Sequence, residues 1–530
     1  QQKINNLDQN YQFGNALSLA SDKIYISYPV INTANEQLEP SIFYKQLLRL
    51  TQANEFSQHD LPSSAGDLLT FMTNPEASLG YLTYLKGKQE VNVDSILELT
   101  EQEIGEVAQN VLEGSNFKNV PENLPPKLAQ ELYGDRIETS VSQLETYYQN
   151  SFEYFLNYGL HLKKRFENEL DVIQAGNYYH ETFDYLVKKI KEKNLDFADL
   201  TDSKLNQLLI EVREELKEKG RYRQLLNDPF NKYLFHKLDQ TTSNVAHYWH
   251  SNVNKTTFRP QYSELSFGKN QKVTGLSYSW KDENNQKKIV DLRGKMDRVD
   301  LAKVNDRVLG EVIDYKSSAK KFDLGLFANG ISMQMISYLE VLKKNNKFFA
   351  QGKNLDVLGA FYQNITSSLE RLSSDKMILS NYQIKDLLKE STKKLMYNGI
   401  LVADEEILDL IEPGMEKDRA TSEIYSSIKR KVNGDISWPR NQSFTPDQLE
   451  LLLAYNSYLI KNAGSEILSG KIKLDPYTYG QQSSLTYSDF KDIFFFDAML
   501  KENNYHKIKA IDKKTLLNLI KEKLDLDGDE

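Results

Sequence analysis

Asp297, Asp314 and Lys316 are the residues of this chain whose types and spacing could do chemistry. They lie in Gly294–Ser318, reading GKMDRVDLAKVNDRVLGEVIDYKSS, where two apolar-rich runs flank Asn305-Asp306 as the strands of a β-hairpin would. Residues two apart on a strand share a face, so Asp314 and Lys316 point the same way. A turn centred on Asn305-Asp306 sets Asp297 directly opposite Asp314, with Cβ atoms about 4.5–5.5 Å apart. Two carboxylates that close repel unless a cation lies between them. Mg2+, or Mn2+ in its place, takes one or two carboxylates together with waters and phosphate oxygens and suits that gap. A lysine beside the ion can hold, orient or help deprotonate an attacking water and offset charge building on a phosphorane. The implied reaction is metal-dependent hydrolysis of a phosphodiester. A bare D-x-K is as well explained by an exposed strand carrying a surface ion pair. Here the pattern is longer: a G-x-x-D strand, Val312 and Ile313 before the second Asp, and a helix afterwards. A longer loop, or a bulge at Gly310, would change the register.

The surrounding polar residues divide by strand face. Asp300 and Glu311 fall opposite to Asp297 and Asp314 and are expected in surface or structural pairing, and Arg298 is expected to be structural. Gln334 and Tyr338 share one face of the helix in ISMQMISYLEVLKK. They read either as a polar seam in a packed helix or as a pair that orients the lysine or touches the substrate strand. His180 lies with Gly176, Phe183, Val187 and Ile190 on one helix face, where a satisfied core histidine is the ordinary reading and metal ligation the alternative. Glu264, in ELSFG, is a further carboxylate that could stand behind the ligands.

The elements that must position these residues follow from periodicity. YSELSFG, VTGLSYSW, KKIVDLRGKMDRVDLA and RVLGEVIDYKS read as strands, and VLGAFYQNI as one more after the helix. Helix, strands, helix, strand is an α/β core with mixed pairing. Upstream, Ser142 to Glu145 has the form of a capping box opening an aromatic helix, with AGNYYHETFDYLVKKIKEK a second helix. About 195–255 reads as a charged helical insertion, and about 370–530 as a helical extension in which Thr445-Pro446-Asp447-Gln448 starts a long helix. Residues 1–130 read as mainly helical, with Lys23–Tyr28 alternating like a short strand, a helix after Pro40-Ser41, and a linker marked by Pro121, Pro125 and Pro126. The acidic end, Asp525–Glu530, reads as solvated. At 530 residues the chain is long enough for roughly three or four domains.

Composition narrows the partners. A net charge of −9 excludes a uniformly basic coat but not a local basic groove. No phosphate loop of the G-x-x-x-x-G-K-[ST] type occurs, so no ATPase site is expected in this chain. No cysteine is present, which rules out thiolate metal sites and disulfides. No apolar run reaches the ~20 residues of a membrane span and no basic-then-apolar leader opens the chain, so no membrane partner and a cytoplasmic location are expected.

Gly176 and His180, then G-K-M-D-R-V-D, then V-I-D-Y-K-S-S, then Gln334 and Tyr338 in Q-M-I-S-Y resemble, in order, the motifs of the RecB-type PD-(D/E)XK nucleases, a restriction-endonuclease-like fold. The match is closer still to the RexB/AddB-type subunit of bacterial ATP-dependent helicase/nucleases. It runs from about Ser142 to Asp497. The resemblance implies a nuclease domain over 131–530, with 1–130 the end of a helicase-like region. It implies His180, Asp297 and Asp314 as metal ligands, the Tyr315 carbonyl joining them, and Lys316 assisting catalysis. It further implies a DNA exonuclease for double-strand break processing and recombinational repair, which trims the 5′-ended single strand. Its partner there is a RexA/AddA-type helicase-nuclease subunit in a heterodimer acting on single- and double-stranded DNA under the control of Chi-like sequences. The other reading is a non-catalytic DNA-scanning scaffold subunit with a relic nuclease fold, although a relic commonly loses one of the Asp–Asp–x–Lys set.

One departure from the family is plain. Members commonly carry four cysteines holding a 4Fe–4S cluster, and Asn150, Leu485, Ser488 and Phe494 stand at those positions. No iron–sulfur cluster is therefore expected. The ends of the domain must be held by packing, with Phe152, Tyr154, Phe494, Phe495 and Phe496 as the expected clasp. Lys163-Lys164-Arg165, Lys188, Lys189, Lys191, Arg221, Arg223, Lys320 and Lys321 are candidate DNA contacts, each equally readable as a solvated helix face or loop.

Overall fold

The computed structural model describes residues 11–31, 37–51, 53, 74–88, 96, 98, 105, 110–111, 114, 118–163, 172–318, 320–365 and 393–526. The opening decapeptide, Lys164-Arg165, the start of the C-terminal extension and the last four residues of the acidic end lie outside them. Contacts divide the chain into two units, 1–118 and 119–530.

In the first unit, Ser41 accepts from Tyr44 N–H at 3.2 Å and starts α1 (Ile42–Thr51), and α2 spans Pro75–Lys88. The strand expected at Lys23–Tyr28 does not form. Its side chains are exposed from Lys23 to Ser27, and among the described residues no neighbouring strand offers its backbone a partner.

The second unit is built on one mixed sheet. Its elements are α3 (Pro126–Tyr133), β1 (Arg136–Ser140), α4 (Val141–Gln149), α5 (Val172–Glu192), α6 (Asp202–Glu218), α7 (Pro229–Val253), β2 (Arg259–Phe267), β3 (Ser277–Lys281), β4 (Lys287–Val304), β5 (Arg307–Lys316), α8 (Gln334–Lys344), β6 (Asn354–Asn364), β7 (Asn398–Val402), β8 (Ser443–Phe444), α9 (Pro446–Leu468) and α10 (Lys513–Leu526). The strand order is β1-β4-β5-β6-β7-β8, with β2 and β3 also paired to β4. The pairs β1/β4, β5/β6 and β7/β8 are parallel; β2/β4, β3/β4, β4/β5 and β6/β7 are antiparallel. The fold is thus the expected α/β one, a mixed sheet flanked by helices.

The period of two along β5 sorts its apolar residues into two cores. Val308 and Val312 join Leu144 of α4, Ile336 and Leu339 of α8, and Leu452 of α9. Leu309, Ile313 and Tyr315 join Phe183 of α5, Leu208 of α6 and Trp249 of α7 on the reverse face. The helical insertion therefore walls one side of the hairpin, and the helix carrying Gln334 and Tyr338 walls the other.

Three local expectations are corrected. The capping box belongs to Ser140 and Gln143, not Ser142 and Glu145: Gln143 N–H donates to Ser140 Oγ at 3.3 Å, and Ser140 N–H to Gln143 Oε1 at 3.1 Å. β1 runs to Ser140, so Ser140 is the last extended residue and takes the cap. The proline-marked stretch is no free linker, since Leu124 N–H donates to the Gly470 carbonyl at 2.8 Å and Asn123 accepts from Ile472 N–H at 2.9 Å. The C-terminal stretch is not purely helical. It adds β7 and β8 to the main sheet and a small sheet of Tyr477–Tyr479, Gln482–Ser483 and His506–Ile508. Thr445 and Gln448 do form the box that opens α9.

At the cysteine-equivalent positions, Phe494 is fully buried with Leu156, Leu474 and Phe490, and Leu485 packs against them. Phe152 reaches Phe494 with ring centroids 5.5 Å apart, while Ser488 donates to Glu153 at 2.9 Å. The clasp differs from expectation in two rings. Phe495 is 78 % exposed, its backbone in the left-handed region (φ 45°), and Tyr154 belongs to the main core beside Tyr147.

Candidate active site

β4 and β5 turn at Asn305-Asp306, and their ladder closes with Arg298 paired to Ile313, so Asp297 and Asp314 face each other one step on. The register change at Gly310 lies between β5 and β6 and leaves this hairpin undisturbed. On its other edge β4 pairs Arg298 with Ser263 and Met296 with Leu265, which sets Glu264 beside Asp297. Three carboxylates thus lie in a row across β2, β4 and β5. Glu264 holds a left-handed backbone (φ 50°), an uncommon conformation for a side-chain-bearing residue and one that clusters at functional sites.

His180 reaches this row from α5. Its Nδ1 is 3.3 Å from Asp297 Oδ2 and 3.7 Å from Glu264 Oε1. One donor atom each from His180, Glu264 and Asp297 falls within 4.8 Å of the others. An imidazole nitrogen with carboxylate oxygens crowded at this spacing is a donor set that fits a divalent cation. Glu264, read from sequence as a residue behind the ligands, stands among the donors.

Asp314 is buried and anchored from the opposite side. Its Oδ1 accepts from Gln334 Nε2 at 2.9 Å and its Oδ2 lies 2.6 Å from Lys316 Nζ. Gln334 Oε1 accepts from Lys316 Nζ at 3.2 Å, so a single amide grips both the carboxylate and the ammonium. Tyr338 accepts from Gln334 Nε2 at 2.8 Å and donates to the Lys295 carbonyl at 2.9 Å, tying α8 to the start of the G-x-x-D strand. Gly294 leaves room for the Phe267 ring, which a Cβ there would approach to 2.7 Å and which meets Tyr338 edge-on with centroids 6.1 Å apart. Tyr315 presents its N–H to Asp297 Oδ2 at 2.8 Å. Its ring turns to the reverse face, stacked on Phe183 with centroids 4.8 Å apart and edge-on to His180.

Two residues with roles not visible in the sequence hold this arrangement. Glu145 accepts from the N–H groups of Met333 (2.7 Å) and Gln334 (3.1 Å), fastening the start of α8 where its unpaired donors gather. Lys295 donates to Glu264 at 2.6 Å. Among the basic candidates, Lys188 pairs with Asp184 at 2.6 Å and Lys189 with Glu215 at 2.8 Å, which gives both a structural partner.

Protonation follows from these contacts. Burial opposes charging His180, but Asp297 and Glu264, with the charge of Asp314 behind them, outweigh it and raise its pKa to about 10. Burial, then the charge of Asp297, pushes Asp314 up to about 6. Burial works against Lys316 too, yet Asp314 holds its pKa above the usual lysine value. Burial keeps the Tyr338 phenol protonated far beyond the ordinary range. A cation entering this site must displace protons. Its affinity should therefore climb by about tenfold per pH unit above pH 6, where only His180 gives one up, and more steeply below, where Asp314 also does. Mn2+ titrations followed calorimetrically from pH 5 to 9 should show that rise, and a flat profile would contradict it.

The profile of the PD-(D/E)XK nuclease superfamily matches residues 138–477. Over its whole length this chain is 88 % identical to a Lactobacillus johnsonii protein whose name makes it a subunit of an ATP-dependent helicase/deoxyribonuclease, of which it covers 46 %. A Lactobacillus helveticus protein of the same name is 53 % identical over 99 % of this chain and 45 % of its own. One from Enterococcus faecalis is 28 % identical over 94 % of this chain and 42 % of its own. The chain thus spans a little under half the length of these relatives.

Proposed function

The chain belongs to the PD-(D/E)XK nuclease superfamily, and from that premise we propose that it is the DNA-cutting part of a helicase/nuclease complex. It is a Mg2+-dependent exodeoxyribonuclease that trims the 5′-ended single strand at broken duplex ends, paired with a motor subunit in the cytoplasm. The observation that carries this reading is the double grip of Gln334 on Asp314 and Lys316, next to the His180–Glu264–Asp297 donor cluster. A relic would have no need of a buried acid–lysine pair beside a crowded row of carboxylates held by His180 and Lys295. Among the described residues no helix is long and apolar enough to cross a membrane.

His180, Glu264, Asp297 and Asp314, with the Tyr315 carbonyl, are the residues that would hold the cation. When bound, the ion supplies polarisation of the scissile phosphate and a lowered pKa for the attacking water. Lys316 enters charged, since Asp314 keeps its proton on, and its part is to steady negative charge developing on the phosphoryl oxygens. Gln334 fixes where that charge sits, and Tyr338 fixes Gln334. Trp249, Phe183 and Tyr315 close the reverse face of the hairpin against water.

Linear duplex DNA labelled at the 5′ or the 3′ end, incubated with the nuclease chain, its motor partner and ATP, tests the reading. Shortening of the 5′-labelled strand in Mg2+ and its absence in EDTA are expected. Trimming that persists in EDTA, or that spares 5′-ended strands in Mg2+, would refute it.

A further inference from the structure

Lys320 lies just beyond the D-Y-K end of β5. Its backbone N–H donates to Asn364 Oδ1 at 3.1 Å, and Asn364 is the β6 residue registered with Lys316. The side chain, half-buried, turns back over the Tyr362 ring with Nζ 5.2 Å from the centroid. Tyr362 is registered with Asp314, and Lys316 Nζ lies 5.7 Å from the same ring. Two ammonium groups therefore lie against one aromatic ring beside Asp314.

Their circumstances differ. Lys316 is paired with Asp314 at 2.6 Å and Lys295 with Glu264 at 2.6 Å. Lys320 has no carboxylate within 4.0 Å among the described residues, and no described acceptor takes a hydrogen bond from its Nζ. Glu145 and Asp314 are near enough to favour its charge without pairing with it, and Glu145 Oε1 is engaged by two backbone N–H groups. Burial and the charge of Lys316 both act against keeping Lys320 protonated. A cation held half-buried beside another cation, without an acid of its own, is costly unless an anion arrives to satisfy it.

We propose that Lys320 is a phosphate-binding residue, which grips a backbone phosphate of the DNA strand on the Tyr362 side of Lys316. The proposal rests on the nuclease reading and adds a contact that neither the D-x-K pattern nor the donor cluster contains. A phosphate there would sit between two converging ammoniums and offset their repulsion. Its contribution is electrostatic and indifferent to base sequence, as strand trimming requires.

The test is the salt dependence of binding, in EDTA, of a fluorescein-labelled oligothymidylate to the protein, with and without substitution. For single strands each neutralised phosphate contributes about 0.7 to the slope of log affinity against log salt. Lys320→Gln should lower that slope by about 0.7 and weaken binding roughly fivefold at 0.1 M salt. Lys320→Arg, which keeps the charge, should restore both. Equal slopes for Lys320→Gln and the wild type would overturn the proposal, and so would an equal defect in Lys320→Arg, since a need for shape alone is not a phosphate contact. A wild-type protein that neither binds the oligonucleotide nor cuts it in Mg2+ would instead overturn the nuclease reading, and the Lys320 contact with it.

Discussion

Asp314→Asn should reduce strand cleavage by at least about 10³-fold while leaving the protein folded. The substitution keeps the shape of the side chain and an oxygen for Gln334 Nε2, which meets Oδ1 at 2.9 Å, but removes the charge that pairs with Lys316 at 2.6 Å. Its effect on stability should be small because two effects oppose. The native pKa of about 6 lies above the ordinary carboxyl value, raised by burial and then by Asp297. Ionising Asp314 therefore costs native stability as pH rises from about 4 to 6, and the amide is spared that cost. Against this, the amide leaves Lys316 without its acid. Urea unfolding should place Asp314→Asn within about 1–2 kcal/mol of the wild type. Cleavage rate and stability would then separate, which is the mark of a residue retained for chemistry. A variant that loses activity only because it unfolds would fail this prediction.

The largest loss of stability should come from Arg298→Ala, about 3–5 kcal/mol by denaturant unfolding. Arg298 is fully buried on the reverse face of β4. Its guanidinium lies 4.2 Å from the centroid of the Trp249 ring, bonds Asp300 at 2.9 Å, donates to the Tyr315 hydroxyl at 3.0 Å and also reaches the Tyr397 hydroxyl. Among the described residues Arg298 is the cation whose charge acts on Asp300 and Glu311, and burial raises the pKa of both. Removing Arg298 leaves two buried acids uncompensated and several donors and acceptors unpaired. Arg298→Lys should rescue little, because an ammonium cannot reproduce a planar fork that serves three partners while stacked on an indole. Because Tyr315 rests against Phe183 and sits edge-on to His180, the same loss should loosen α5 and weaken divalent-cation binding. An Arg298→Ala protein as stable as the wild type would show that the reverse-face network carries no weight.

The sequence was most legible where register is set locally. A two-residue turn at Asn305-Asp306 determines which residues of β4 and β5 meet, and the facing of Asp297 and Asp314 follows from counting. Gln334 and Tyr338 were legible for the same reason, since one helical turn places them on one face. Glu264 was not, because the connection from β2 to β4 passes through β3 and no turn chemistry fixes which residue comes to lie beside Asp297. The cap of α4 is ambiguous in the sequence because Ser140 and Ser142 both precede a residue able to complete a box, and only the end of β1 chooses between them. β8 is two residues long, too short to carry any period. Arg298 is structural, as its strand face implies. The extent of its network is not legible locally, because Trp249 and Tyr397 come from distant parts of the chain.

The proposed function is put to the test by a complex of this chain carrying Lys316→Gln with a motor subunit, acting with ATP and Mg2+ on linear duplex labelled at its 5′ ends. Lys316 is engaged by Asp314 and Gln334 within the proposed cutting site, so unwinding should proceed while the 5′-labelled strand is released at full length. A 5′-labelled strand shortened as in the wild type would mean that the cut is made elsewhere.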